Sequence, residues 1–151
     1  PEVVKRFINI EGNLAPEDTG MFSRRTVSYD LDGFIASGYL DEILAGYAAL
    51  PYIGPRIFAD TTKRNVSARV FYDYCVSIVA HSDGGQLLSA FTTPDIPRMF
   101  VYGEANEGLS YLGTLREHGV VVSRIPNAHH WPFFDNRDAY YPEIARFIAE
   151  T

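Results

Sequence analysis

Residues 97–134 read PRMFVYGEANEGLSYLGTLREHGVVVSRIPNAHHWPFF, and this stretch decides the fold class. Pro97 precedes an apolar run, Arg98 to Tyr102, whose density of branched and aromatic residues predicts a strand ended by Gly103. Leu109 to His118 has helical spacing, with Gly119 as its C-terminal stop. Val120 to Ile125 is a second strand, followed by a loop carrying His129 and His130 and then by a closing amphipathic helix over Asp138 to Glu150. That helix is expected to turn Tyr141, Ile144, Ala145, Phe147 and Ile148 inward. A strand that runs into a histidine loop ahead of a final helix is an arrangement that can present a general base.

Upstream, Pro1 to Lys5 reads as a helix end or turn feeding a short strand, Arg6 to Ile10, stopped at Glu11-Gly12. The run is uniformly apolar, so both of its faces are expected to be covered, as in a parallel sheet. Between Phe22 and Phe91 the period becomes helical. Phe34, Ile35, Tyr39, Leu40, Ile43, Leu44 and Tyr47 recur on one face, as do Val66, Val70, Phe71, Tyr74, Ile78 and Val79, with a break at LPYIGPRIF. Two to four helices joined by Pro/Gly loops are expected there, as a lid-like block outside the sheet. Strand, helical insertion, strand, helix, strand, helix is an α/β pattern. The division reads as 1–12 and 96–151 for the core and 13–95 for the insertion.

Composition narrows the function. The 151 residues are 46% hydrophobic, enough for one domain with a core. Thirteen basic against 19 acidic residues give a net charge of −6, and no basic cluster exceeds a pair. A nucleic-acid or anionic-membrane partner therefore has little electrostatic support. The single Cys75, in FYDYCVSIV, excludes an internal disulfide and fits a cytoplasmic protein; its apolar setting marks it as core rather than nucleophile. No apolar run reaches the ~18 residues of a membrane helix. Asn65 begins an NVS sequon with no secretion signal to make it meaningful. Adjacent histidines without HxH, HExxH or paired cysteines do not make a metal site, and no cofactor is implied.

PEVVKRFINIEGN (1–13) resembles the P-E-x-V-x-x-hydrophobic segment that leads into the sixth strand of the α/β-hydrolase fold. MFVYGEAN (99–106), VVVSRIPNAHHW (120–131) and the terminal helix are similar to its seventh strand, its eighth strand with the histidine loop, and its last helix. The resemblance covers nearly the whole chain. It implies the C-terminal part of such a fold: a short parallel sheet with a helical cap inserted between its first and second strands. In that frame AHHWP matches the family's small-Gly-His-aromatic-Pro pattern, with His129 where a glycine usually stands and His130 as the base.

The family's usual acid position, three residues past the strand-seven glycine, holds Asn106. Some relatives, haloalkane dehalogenases among them, carry the acid at the end of strand six, which here is Glu11. Glu104 is the alternative acid and Asp18 a third. Cap aromatics Phe22, Phe34, Tyr39 and Phe71, together with Trp131, would line an apolar pocket for a small substrate.

VAHSDGG (79–85) has the shape of a nucleophile elbow around Ser82, but the run before it has helical rather than strand spacing, and the family's elbow precedes the Glu11 segment. Ser82 is therefore read as a helix-terminating turn. An opening at Pro1 followed directly by a strand gives the expectation of a fragment or one chain of a split protein, completed by an N-terminal hydrolase segment carrying a Ser or Asp nucleophile. The expected activity is esterase-like or dehalogenase-like and falls as pH drops below the histidine range. The alternative is a degenerate, non-catalytic relative that binds a small ligand or a protein partner. A third reading, a self-contained enzyme using Ser82, His130 and Glu104, stays open here.

Overall fold

The computed structural model of the protein describes residues 3–20 and 22–151. The turn expected at Pro1 to Lys5 thus lies partly outside the described residues. The chain is α/β, with three parallel strands and several helices, and it divides into two compact units.

The first unit holds the sheet and comprises the chain through Gly12, Tyr52–Gly54 and Ser89–Thr151. Its strands are β1 (Phe7–Ile10), β2 (Arg98–Gly103) and β3 (Val121–Ile125), in the order β1-β2-β3. The register sets Ile10 beside Val101 and Gly103 beside Ile125. Central β2 is covered on both faces, as its continuous apolar sequence requires. Met99 and Val101 pack with Ile125 and Ala128 against Tyr140 and Phe147 of the closing helix. Phe100 points the other way, with its ring 5.7 Å from Tyr111 and 6.5 Å from Phe91.

β1 is an edge strand, and Phe7 and Ile10 are 43% and 36% exposed, so its faces are only half covered. Apolar sequence alone cannot distinguish a central strand from an edge whose flank is open. The helix expected from Leu109 spans only Leu112–Glu117, because Gly108 and Ser110 leave the preceding residues in turns; Gly119, at φ 71°, ends it as expected. The closing helix, Arg137–Glu150, buries Tyr140 and Phe147 and half-buries Ile144, whereas Tyr141, Ala145 and Ile148 face solvent. Ile144 and Phe147 lie on the expected face, but the inward stripe runs through Tyr140 instead of Tyr141 and leaves Ala145 and Ile148 outside; Asn136 caps the helix through Ala139 N–H.

The second unit, Asn13–Pro51 and Pro55–Leu88, is helical. Its chain runs through α1 (Ser23–Thr26), α2 (Leu31–Ser37), α3 (Tyr39–Ala48), α4 (Ile53–Asn65, whose first turn belongs to the sheet unit) and α5 (Ala68–Asp83). That is more helices than the two to four expected. One periodic run is cut in two at Gly38, whose φ of 66° lets the chain turn left-handed between α2 and α3. Asp30 caps α2 through Gly33 N–H and Ser67 caps α5 through Val70 N–H. On α5 the buried stripe is Phe71, Cys75, Val79 and Ser82, while Val70 and Tyr74 are more than half exposed. Burial raises the Cys75 thiol pKa above its ordinary value, partly opposed by the neighbouring Ser23 and Thr26 hydroxyls, which keeps the sulfur protonated and unreactive.

The short helices α6 (Leu87–Thr92), α7 (Leu112–Glu117) and α8 (Pro132–Asp135), with α9 (Arg137–Glu150), complete the regular structure. Among the described residues no helix is long and apolar enough to cross a membrane.

Candidate active site

In a parallel sheet all strand C-termini lie along one edge, where open α/β sheets hold their ligands. Three loops meet there in the sheet unit. β1 ends in Glu11, β2 ends in Gly103 and continues through the 3-10 turn Glu104–Asn106, and β3 ends in the loop carrying His129 and His130.

Glu11 N–H still donates to Val101 C=O at 3.0 Å, so the residue is held to the sheet. Its backbone then turns left-handed, φ 46°, a conformation that costs a non-glycine residue about 1–3 kcal/mol. Asn9 fixes the bend by accepting from Gly12 N–H at 2.6 Å. The turn buries the Glu11 side chain to 3% exposure beneath the other two loops. There its carboxylate accepts from Gly103 N–H, from Asn106 Nδ2 at 2.6 Å, and lies 2.6 Å from His130 Nδ1. Hydrogen bonds to a charged acceptor contribute about 1.5–3 kcal/mol each, enough to offset the strained turn. The geometry makes Nδ1 the donor in a neutral imidazole, which leaves the lone pair on Nε2. The ring is 40% exposed, stands edge-on to Trp131 at 4.9 Å, and Nε2 makes no hydrogen bond among the described residues.

The position three residues past the β2 glycine is thus not an empty acid position: Asn106 donates its carboxamide to the Glu11 carboxylate and tethers it. Glu104 faces elsewhere. It pairs with Arg124 at 2.7 Å and accepts from Asn127 N–H at 2.7 Å, which anchors the base of the histidine loop. Asp18, the third acid considered, accepts from Leu14 and Ala15 N–H and closes a local turn in the helical unit.

The histidine loop is pinned along its length. Ala105 N–H donates to Ala128 C=O at 3.1 Å and Asn136 Nδ2 to Pro126 C=O at 2.8 Å. It also crosses so close to β2 that a Cβ on Gly103 would lie 2.2 Å from His129 C=O and 2.6 Å from Ala128 C=O. Both obstacles are backbone. Gly103→Ala should therefore lower the unfolding free energy by about 3 kcal/mol through overpacking, as measured by urea denaturation.

His129 is buried, with its ring 5.5 Å from Tyr52 and its N–H donating to Asp135. Burial pushes its imidazole pKa below the ordinary histidine value, partly opposed by the Glu11 and Asp135 carboxylates and reinforced by His130. A depressed folded-state value means that the unfolded chain binds the proton first. Stability is thus full above the unfolded value, about 6.5, and declines as pH falls toward the folded value. The urea midpoint should fall less between pH 7 and pH 5 in His129→Gln than in the wild type.

The aromatics expected to line a pocket are placed differently. Phe34, Tyr39 and Phe71 are buried in the core of the helical unit, with Phe34 and Phe71 stacked at 6.2 Å and 7°. Half-buried Phe22 joins the same cluster, 5.4 Å from Phe71 and 5.8 Å from Tyr47. These rings hold helices together, which periodic aromatic spacing does equally well. Ser82 lies in the last turn of α5, fully buried and accepting from Asn13 Nδ2 at 3.1 Å. A helix rather than a strand leads into it, so the strand-turn-helix geometry of an elbow is absent and the self-contained reading loses its nucleophile. Among the described residues no group of three or more His, Cys, Asp or Glu side chains is gathered for a metal ion.

Comparison with known proteins finds no family model, no curated protein and no solved structure that matches this chain.

Proposed function

We propose that the chain is the C-terminal part of an α/β-fold hydrolase, esterase-like or dehalogenase-like. It supplies His130 as general base and Glu11 as the acid that orients it. The observation that carries this reading is a buried carboxylate, held by two other donors, 2.6 Å from the Nδ1 of an imidazole whose Nε2 faces away from any partner among the described residues. That is the geometry a general base needs: the tautomer fixed from behind and the proton-accepting atom open in front.

The nucleophile is supplied by another polypeptide segment, a Ser attacking a substrate carbonyl or an Asp whose carboxylate displaces halide from a substrate carbon to form an ester that water then hydrolyses. In the first case Nε2 takes the Ser Oγ proton as the oxygen attacks the acyl carbon, and returns it to the departing alkoxide. In the second Nε2 deprotonates the water that cleaves the ester. The open flank of β1, with Phe7 and Ile10 partly exposed beside it, supports a neighbouring strand as the carrier of that segment. The helical unit serves as the cap, with a small apolar substrate as the ligand class.

The test is reconstitution. Intact-mass analysis identifies the companion polypeptide, and the assembled protein is assayed on activated acyl esters and on haloalkanes. Turnover that depends on both chains is the expected result. A well-folded 16.9 kDa monomer that neither recruits a companion nor hydrolyses either substrate class would overturn the reading.

A further inference from the structure

Asp135 is five residues past His130, at the end of α8, and it binds two backbone amides, one of them 81 residues before it in the sequence. Its Oδ1 accepts from Gly54 N–H at 2.6 Å and its Oδ2 from His129 N–H at 2.9 Å. Gly54 is in the first turn of α4, within the helical insertion, yet Tyr52–Gly54 belong to the sheet unit. The approach is tight: a Cβ on Gly54 would lie 2.6 Å from Trp131 Cβ and 3.1 Å from Asp135 Oδ1. Tyr52 adds its ring beside His129.

From this geometry we infer that Asp135 is a positioning residue, a clamp that ties the start of α4 to the histidine loop and so sets the direction of the His130 ring. The inference rests on the general-base reading above. A carboxylate has an acceptor oxygen for each of the two amides. A carboxamide has one, and turns its NH2 toward the remaining N–H, which opens one side of the clamp. His129 N–H is one residue from His130, so releasing it frees the peptide plane that aims the imidazole. The 2.6 Å contact to Glu11 tolerates little displacement, since hydrogen bonds weaken steeply with misalignment. Gly54, in the sheet unit at the start of α4, thereby helps hold the base in register through its backbone amide.

The test uses the full chain, uniformly 15N-labelled. The His130 Nδ1–H proton, bonded to Glu11, should give a slowly exchanging downfield resonance in the wild type and none in Glu11→Gln. In Asp135→Asn, and separately in Gly54→Ala, that resonance should be lost or exchange with solvent at least ten times faster, while the amide spectrum of β2 is unchanged. A merely structural role for Asp135 would alter the unfolding midpoint and leave the resonance as it was. If Asp135→Asn fails to fold, Gly54→Ala decides by the same readout. A resonance present in the wild type and unaltered in the folded variants overturns the clamp alone; its absence from the wild type overturns the general-base reading and the clamp with it.

Discussion

Under the proposed hydrolase function, His130→Ala in the assembled protein is expected to lower turnover of an activated ester by about 10³-fold or more, whereas His129→Ala is expected to keep most of it. The two side chains differ in what they face, although they are neighbours in sequence. His130 is directed at Glu11 through Nδ1 and leaves Nε2 exposed, while the His129 ring is buried beside Tyr52. His129 serves the loop mainly through its backbone, since its N–H reaches Asp135 and its C=O crosses Gly103. Neither contact needs the imidazole. Initial rates of the two variants, each checked for folding by circular dichroism, measure the difference. The reverse order would move the base by one residue.

On the same proposal, Glu11→Gln is expected to cost about 10⁴-fold in turnover, and Glu104→Gln less than about tenfold. Three donors converge on the Glu11 carboxylate: Gly103 N–H, Asn106 Nδ2 and the His130 Nδ1 proton. A glutamine offers one acceptor oxygen to all three and turns an NH2 toward the rest, which favours the wrong imidazole tautomer. The Glu104 carboxylate instead meets Arg124 and Asn127 N–H, on an exposed flank, so its amide keeps one of two contacts in high dielectric. Parallel kcat measurements distinguish the two carboxylates. Equal, mild losses would mean that neither is the acid.

Much of this site was legible in the sequence because strand ends are punctuated locally. Glu11-Gly12 and Gly103 mark where the first two strands stop, the third ends at Ile125 before the histidine loop, and in a parallel sheet those stops fall on one edge. The pairing partners within the site were not legible. That Asn106 tethers Glu11, that Glu104 turns to Arg124, and that Asp135 reaches Gly54 all depend on contacts between residues far apart in sequence. Asn106 carried one signal: it holds an amide three residues after the strand-ending glycine, where its side chain can reach back over the sheet.

Helix faces were read with the right period and an imperfect phase. Tyr140 rather than Tyr141 is buried, packed with Phe147 against Met99, Val101 and Ile125, a choice between neighbouring tyrosines that spacing alone does not make. The insertion's aromatics were visible as a pattern whose purpose the pattern could not state. Phe34 stacked on Phe71 satisfies the same spacing as a pocket wall. Edge exposure of β1 was hidden for a related reason, since an apolar strand reads alike whether its flank is paired or open.

The central claim concerns one proton on one ring, and 15N chemical shifts of labelled His130 in the intact chain near neutral pH report it directly. Nδ1 protonated and Nε2 bare, with that preference lost in Glu11→Gln, is the result this account predicts. A ring protonated on Nε2, or one whose tautomer ignores the Glu11 substitution, would contradict it.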